Sequence, residues 1–162
     1  MSNAVEFLSR GQRVFVGAAS NEPLSLLQNL QTSGVPEELR FIQFPLGAMN
    51  STDVTAFSNT ASVETFFMTP TLAKASDTSR VFFKPMQMRW VYDYLLQNVD
   101  VALIQVARDR HGVLRLGPNT DFIGAVLGCA TTVIAELNNC IVAPAGAPQI
   151  APSQINYLYE SE

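Results

Sequence analysis

Val99-Asp100-Val101-Ala102-Leu103-Ile104-Gln105-Val106, followed by Asp109-Arg110-His111-Gly112, is the stretch that decides the fold. From Val101 to Val106 the residues are almost all apolar and β-branched or aliphatic, the pattern of a strand covered on both faces. Charged and turn-forming residues follow at once at its carboxyl end, where open α/β sheets place their ligands. The strand is read as core and the turn as a candidate site.

Working outward, Arg13-Val14-Phe15-Val16-Gly17-Ala18-Ala19 reads as a second buried strand running into a small-residue turn. Pro23 then stands in the first turn of a helix carrying Leu24, Leu26, Leu27 and Leu30. Ser33-Gly34-Val35-Pro36 closes that helix, and Leu39-Arg40-Phe41-Ile42-Gln43-Phe44 is a further strand, stopped by Pro45. Strand, helix and strand form a βαβ unit, which implies a parallel pair with a right-handed crossover.

Residues 46–60 turn to Gly, Ala, Ser, Thr and Asn without periodicity, the composition of a functional or mobile loop. Residues 63–68 and 81–83 are short strands, and Met88-Arg89-Trp90-Val91-Tyr92-Asp93-Tyr94-Leu95-Leu96 has helical spacing. Beyond the opening stretch, Val113-Leu114-Arg115-Leu116 alternates as a short strand ending at Gly117-Pro118. Asn119 or Thr120 caps a helix with Asp121 in its first turn, ending near Gly128. Residues 131–137 form another strand. Pro144, Gly146, Pro148 and Pro152 exclude regular helix until a last extended segment at Ile155-Asn156-Tyr157-Leu158-Tyr159.

Composition narrows the classes. A chain of 162 residues, 48% hydrophobic and 15% charged, fits one α/β domain that buries its own core. The net charge of −4, with ten scattered basic residues, argues against nucleic acid. Cys129 and Cys140 form no CxxC pair and stand with a single histidine, so neither a zinc site nor a disulfide framework is expected, and a reducing, cytoplasmic setting fits. The low-charge stretch 122–135 is too short for a membrane span, and no basic, then apolar, leader opens the chain. No metal site and no membrane association are expected.

Neither a Walker loop nor GxGxxG occurs. The segment Gly17-Ala18-Ala19-Ser20-Asn21-Glu22-Pro23 has two readings. Its small side chains could let backbone amides approach a phosphate, a thioester or a carboxylate, helped by the helix after it, or could simply close a strand-to-helix turn. His111 has the chemistry of a general base, but its polar turn suits loop fixation or solvent contact better. Glu22, Glu64 and Glu136 are the carboxylates nearest apolar runs; Glu136, at a strand end, suits either a site contact or a cap. Cys129 reads as an inert buried thiol.

The pattern Ser9-Arg10-Gly11-Gln12-Arg13-Val14-Phe15-Val16-Gly17, then Asn21-Glu22-Pro23 and Leu26-Leu27-Gln28-Asn29-Leu30, resembles the opening of the acetyl-CoA hydrolase/transferase family. That family includes succinyl-CoA:acetate and 4-hydroxybutyrate CoA-transferases. The resemblance returns at 99–106 with Asp109, His111-Gly112 and Leu116-Gly117, at Val133-Ile134-Ala135-Glu136-Leu137-Asn138, and at Ile150, Ser153, Ile155 and Glu160; residues 46–80 add little.

The resemblance implies an open, mostly parallel sheet with helices on both faces, of the CoA-transferase (NagB/RpiA-like) type. It implies double displacement, in which a glutamate attacks an acyl-CoA thioester and backbone amides stabilise the oxyanion. Coenzyme A or acyl-CoA would be substrate rather than a tightly bound cofactor. The expected partners are acyl-CoA, a small carboxylate and a carboxyl-terminal CoA-transferase domain or subunit, in a homo- or hetero-oligomer.

The family's nucleophilic glutamate belongs to a second domain that residues 1–162 do not include, so no catalytic residue is carried over. Gly17, Ala18, Ala19, Ser20, Asn21, Glu22 and Pro23 are carried over as the loop facing the interdomain cleft, with Ala18 where some members have histidine. His111 and Gly112 are carried over as a family mark and candidate substrate or CoA contacts. The expected role is the amino-terminal half of a CoA-transferase or acyl-CoA hydrolase, forming one wall of the cleft. The alternatives are a non-catalytic CoA-binding, acyl-binding or regulatory module, and a folded but idle domain.

Overall fold

The computed structural model describes residues 3–160. Its strands are β1 (Arg13–Val16), β2 (Arg40–Gln43), β3 (Ser62–Thr65), β4 (Val81–Phe83), β5 (Val101–Arg108), β6 (Leu114–Leu116), β7 (Thr132–Leu137) and β8 (Tyr157–Glu160). They form one sheet in the order β4-β3-β2-β1-β5-β7-β8, parallel throughout except for β6, which folds back antiparallel on β5. Four helices cover it: α1 (Leu24–Ser33), α2 (Pro70–Ala75), α3 (Met88–Asn98) and α4 (Ile123–Leu127).

β5 is the spine that the apolar run predicts. Residues 101–107 are all buried, and alternation sends Ala102, Ile104 and Val106 to one face and Val101 and Leu103 to the other. The first face packs under α3 and α4 through Val91, Leu95, Ile123 and Val126. The second packs under α1 and α2 through Leu26, Leu27, Leu30 and Leu72. Fully burying each such Leu, Ile or Val stabilises the fold by about 1.5–3 kcal/mol. This is an open α/β sheet with helices on both faces. Among the described residues no helix is long and apolar enough to cross a membrane.

Four local expectations are corrected. Pro23 occupies the cap position before α1 instead of its first turn. Neither Asn119 nor Thr120 caps α4, because Phe122 is its N-cap and Asp121 sits outside it with a left-handed φ of 39°. The unassigned stretch 46–60 holds a 3₁₀ turn, Val54–Phe57, capped by the Asp53 side chain. Helix α2 had no sequence signal beyond Thr69 and Pro70, which supply its cap and first position.

Helix α1 has no side-chain cap of its own. The donor-rich amino end is satisfied from β7, where the Glu136 carboxylate, 2% exposed, accepts a 2.8 Å hydrogen bond from the Leu26 N–H. Burial pushes the Glu136 carboxyl up from its ordinary value, and the Leu26 and Ser25 amides with the Ser25 hydroxyl oppose that shift. Replacing Glu136 with Ala leaves buried amides without a partner and should cost about 2–4 kcal/mol in urea unfolding. Glu136→Gln, which keeps one acceptor oxygen, should lose less than half of that.

Candidate functional site

β1 to β4 are laid down in one direction across the sheet, and the chain then returns to place β5 on the far side of β1. The crevice above the carboxyl ends of β1 and β5 is therefore the topological switch point, where ligands bind in open α/β sheets. The loop 17–23 stands on it.

Gly17 continues β1, its N–H donating to the Leu103 carbonyl at 2.9 Å. A side chain there would put its Cβ 2.7 Å from the Asn21 carbonyl oxygen, so the loop doubles back onto itself only because residue 17 is glycine. Ala18, Asn21 and Pro23 are buried, Ala19 and Glu22 half-buried, and Ser20 is the exposed residue of the loop. Ala19 holds a left-handed φ of 51°, a strained conformation for a residue with a Cβ.

The strain is held by Asn50, which is buried at the end of the stretch expected to be a loop. Its Oδ1 accepts from the Ala19 N–H at 3.0 Å and the Leu46 N–H at 2.9 Å. Its Nδ2 donates to the Ala19 carbonyl and to the Glu22 carboxylate, each at 3.1 Å. The Glu22 carboxyl is raised by burial, against the pull of Asn50 and Thr52.

Below the loop, Gln105 donates to the Glu22 carbonyl at 3.2 Å. Beside it, the Asn21 side chain donates to the Asn119 carbonyl and packs on Gly117, where any side chain would collide with it. Asn119 in turn accepts from the Asp121 N–H at 3.1 Å. Three buried acceptors in this knot have no donor among the described residues: Asn21 Oδ1, Gln105 Oε1 and Asp121 Oδ2. Unmade acceptors of this kind are rare in folded proteins and concentrate where a ligand or water completes them. All three atoms are enclosed, with Asn21 fully buried and Gln105 5% exposed, so they lie inside the knot under the loop.

Several backbone donors of the loop and of the helix after it are engaged within the protein. The α1 amino end already serves Glu136, and the Ala19, Asn21 and Glu22 amides bond to Asn50 and to carbonyls of the loop itself.

His111 and Gly112 are not brought to this crevice. Gly17 is level with Ile104 in the β1–β5 register, and five further residues of β5 and its turn, about 16 Å at strand rise, intervene before the turn. β5 and β6 project there as a two-stranded ribbon whose turn is locked by Asp109. Its Oδ1 accepts from the His111 and Val113 amides at 2.8 and 3.0 Å, and its Oδ2 from Arg115 Nε at 2.6 Å. The Arg115 guanidinium, with the two amides, holds the Asp109 carboxyl down at about 2. Since the imidazole has no partner among the described residues, nothing orients it as a base.

The other candidates fall into place. Glu64, 4% exposed, pairs with Arg40 at 3.2 Å and Lys84 at 3.7 Å and accepts from the Tyr94 hydroxyl, away from the crevice. The Cys129 thiol donates to the Leu95 carbonyl at 3.3 Å, and burial pushes it up, so it is poorly disposed to form a thiolate. Gln105 carried a sequence signal, a lone amide inside an apolar run. Asn50 and Asp121 carried none.

Burial raises the Asp121 carboxyl to about 6. A carboxyl whose folded value lies above its unfolded value near 4 favours the folded state while protonated, and that contribution is lost as pH rises from about 4 through 6. Asp121→Asn, which tolerates the left-handed backbone, should flatten this slope and raise stability at pH 8 by about 1 kcal/mol after allowance for partial exposure. Thermal melts between pH 4 and 8 read it directly.

The family profile described as acetyl-CoA hydrolase/transferase N-terminal domain matches residues 1–159. No curated protein sequence matches significantly. Among solved structures, RipA from Yersinia pestis superposes with a TM-score of 0.80 at 22% identity, covering 98% of this chain and 41% of that one. A 4-hydroxybutyrate CoA-transferase from Porphyromonas gingivalis gives 0.68 at 20% identity, over 97% of this chain and 37% of the other. The decarboxylase AibA/AibB, in a cysteine-to-serine variant, gives 0.68 at 17% identity, over 98% and 80%. The chain spans about two fifths of the length of the first two, and at these identities the likeness is one of fold.

Proposed function

The chain belongs to the acetyl-CoA hydrolase/transferase family as its N-terminal domain, and from that premise we propose that it forms one wall of an acyl-CoA and carboxylate cleft. The reading that fits best is an amino-terminal half of a CoA-transferase or acyl-CoA hydrolase of the cytoplasm, acting in acyl-CoA and acetate metabolism. A second domain or subunit supplies the nucleophile. Coenzyme A enters as substrate and is not held tightly.

The observation that carries this is the position of loop 17–23 at the switch point of the sheet, in a shape fixed by Gly17 and Asn50. Loop 17–23 supplies the wall, with Ser20 exposed at its crest and Ala18 beneath it.

A docking edge for the second half supports the same reading. Leu46, Met49, Phe67, Met68, Phe83 and Met88 are 41–56% exposed; Phe83 ends β4, and the others follow the carboxyl ends of β2, β3 and β4 in sequence. Monomeric surfaces rarely leave so many large apolar side chains uncovered in one region. A partner that covers them would also close the crevice and exclude water from the thioester.

The test follows CoA exchange between acyl-CoA and a carboxylate acceptor. The chain alone should be inactive, and addition of a matching carboxyl-terminal domain should give turnover that Asn50→Ala lowers at least tenfold by releasing the loop. Turnover by the chain alone would contradict the assignment of the nucleophile to the partner. Binding of coenzyme A without turnover in the completed pair would favour the non-catalytic module.

A further inference from the structure

The amino-terminal edge of the sheet, opposite the crevice, carries two arginines that the proposed cleft does not use. Arg13 opens β1 and Arg40 opens β2 at the same register, with Ser62 beside them at the start of β3. Alternation puts these three side chains on the face that Phe15 and Ile42 bury under α3. Arg13 lies four residues before Gly17, about 13 Å at strand rise, so this edge is separate from loop 17–23. A cavity of about 450 Å³ opens between Gly11, Arg13, Glu38, Arg40, Thr60 and Ser62, within the size range of small-molecule sites.

Both guanidiniums are held in place without being used up. Arg13 donates from Nη1 to Asn98 Oδ1 at 2.8 Å and from Nε to Asp100 at 3.5 Å, and Arg40 donates from Nη1 to Glu64 at 3.2 Å. A guanidinium has more N–H donors than these bonds use, and Nη2 of each arginine has no partner among the described residues. Glu38, the one carboxylate lining the cavity, is gripped on both oxygens by Arg10 at 3.0 and 2.5 Å, which holds its carboxyl below the ordinary value. Asp100 also accepts the Arg13 N–H at 2.7 Å, and buried Glu64 is shared with Lys84 and Tyr94. The lining therefore presents two cations against one neutralised carboxylate, in a chain of net −4. Ser62 adds a hydroxyl that makes no hydrogen bond among the described residues.

Spacing selects the anion. The two arginines are rooted one strand spacing apart, about 4.8 Å, and are drawn in opposite directions, Arg13 toward the β5 side of β1 and Arg40 toward Glu64 on β3. Forks splayed wider than their strands suit two separate carboxylates, each bound by an arginine in a two-pronged fashion, better than one compact oxyanion. We propose that this cavity binds a small dicarboxylate, with one carboxylate on Arg13 and the other on Arg40 and the Ser62 hydroxyl. The site goes beyond the cleft reading above and does not depend on it.

An amide NMR titration of the full chain with glutarate tests this. The Gly11, Arg40 and Ser62 amide signals should shift saturably, and acetate should bind at least tenfold more weakly. Coenzyme A, which carries phosphates and no carboxylate, should leave those signals in place. Arg40→Lys keeps a cation beside Glu64 and loses the fork, so it should weaken glutarate at least tenfold. Ser62→Ala removes no hydrogen bond of the described residues, so it should keep the wild-type spectrum elsewhere and weaken glutarate about threefold. Edge signals unmoved by glutarate, acetate as effective as glutarate, or either folded variant titrating like the wild type would overturn the proposal. Tighter binding of inorganic phosphate or coenzyme A at the same signals would overturn the dicarboxylate assignment. Glutarate shifts confined to residues 17–23 would also overturn it, while leaving the cleft reading intact.

Discussion

One buried carboxylate sets the geometry on which the rest depends. Glu136 projects from β7 beneath the amino end of α1 and accepts the Leu26 N–H, tying the helix to a strand two places away from β1. Burying a carboxylate is unfavourable, and the helix amides and their dipole offset the cost. Once α1 is pinned, both ends of loop 17–23 are fixed, one by β1 and the other by the helix. The loop has no freedom to relax its strained residue, Ala19.

The strain at Ala19 and the clamp at Asn50 belong to the same device. Asn50 makes four hydrogen bonds, three of them to Ala19 and Glu22, and so replaces the conformational freedom of the loop with a fixed shape. Around that shape sit acceptors that no donor of the protein satisfies among the described residues. A preorganised loop at the switch point suits a substrate held by shape. The buried glutamates, by contrast, are committed: Glu64 to Arg40, Lys84 and Tyr94, and Glu136 to α1.

Much of the fold was legible because a parallel sheet buried on both faces imposes a continuous apolar run, and residues 101–106 and 13–16 carry it without ambiguity. The leucines of α1 were equally plain. What could not be read were pairings between distant residues of ordinary composition. Asn50 lies 31 positions from Ala19, and Glu136 lies 110 from Leu26. Asp121 looked like a helix-opening residue and instead takes a left-handed backbone that puts the helix start two residues later. His111 and the loop 17–23 were each visible as sites, but only the β1–β5 register shows that a length of strand separates them.

The separation leaves loop 17–23, at the switch point of the sheet, as the site on which the proposed function rests. Amide hydrogen exchange with and without coenzyme A tests it most directly. Protection confined to residues 17–23 and 117–122 is the predicted result. Protection at the opposite, amino-terminal edge of the sheet around Arg13 and Arg40, with none in the loop, would contradict it.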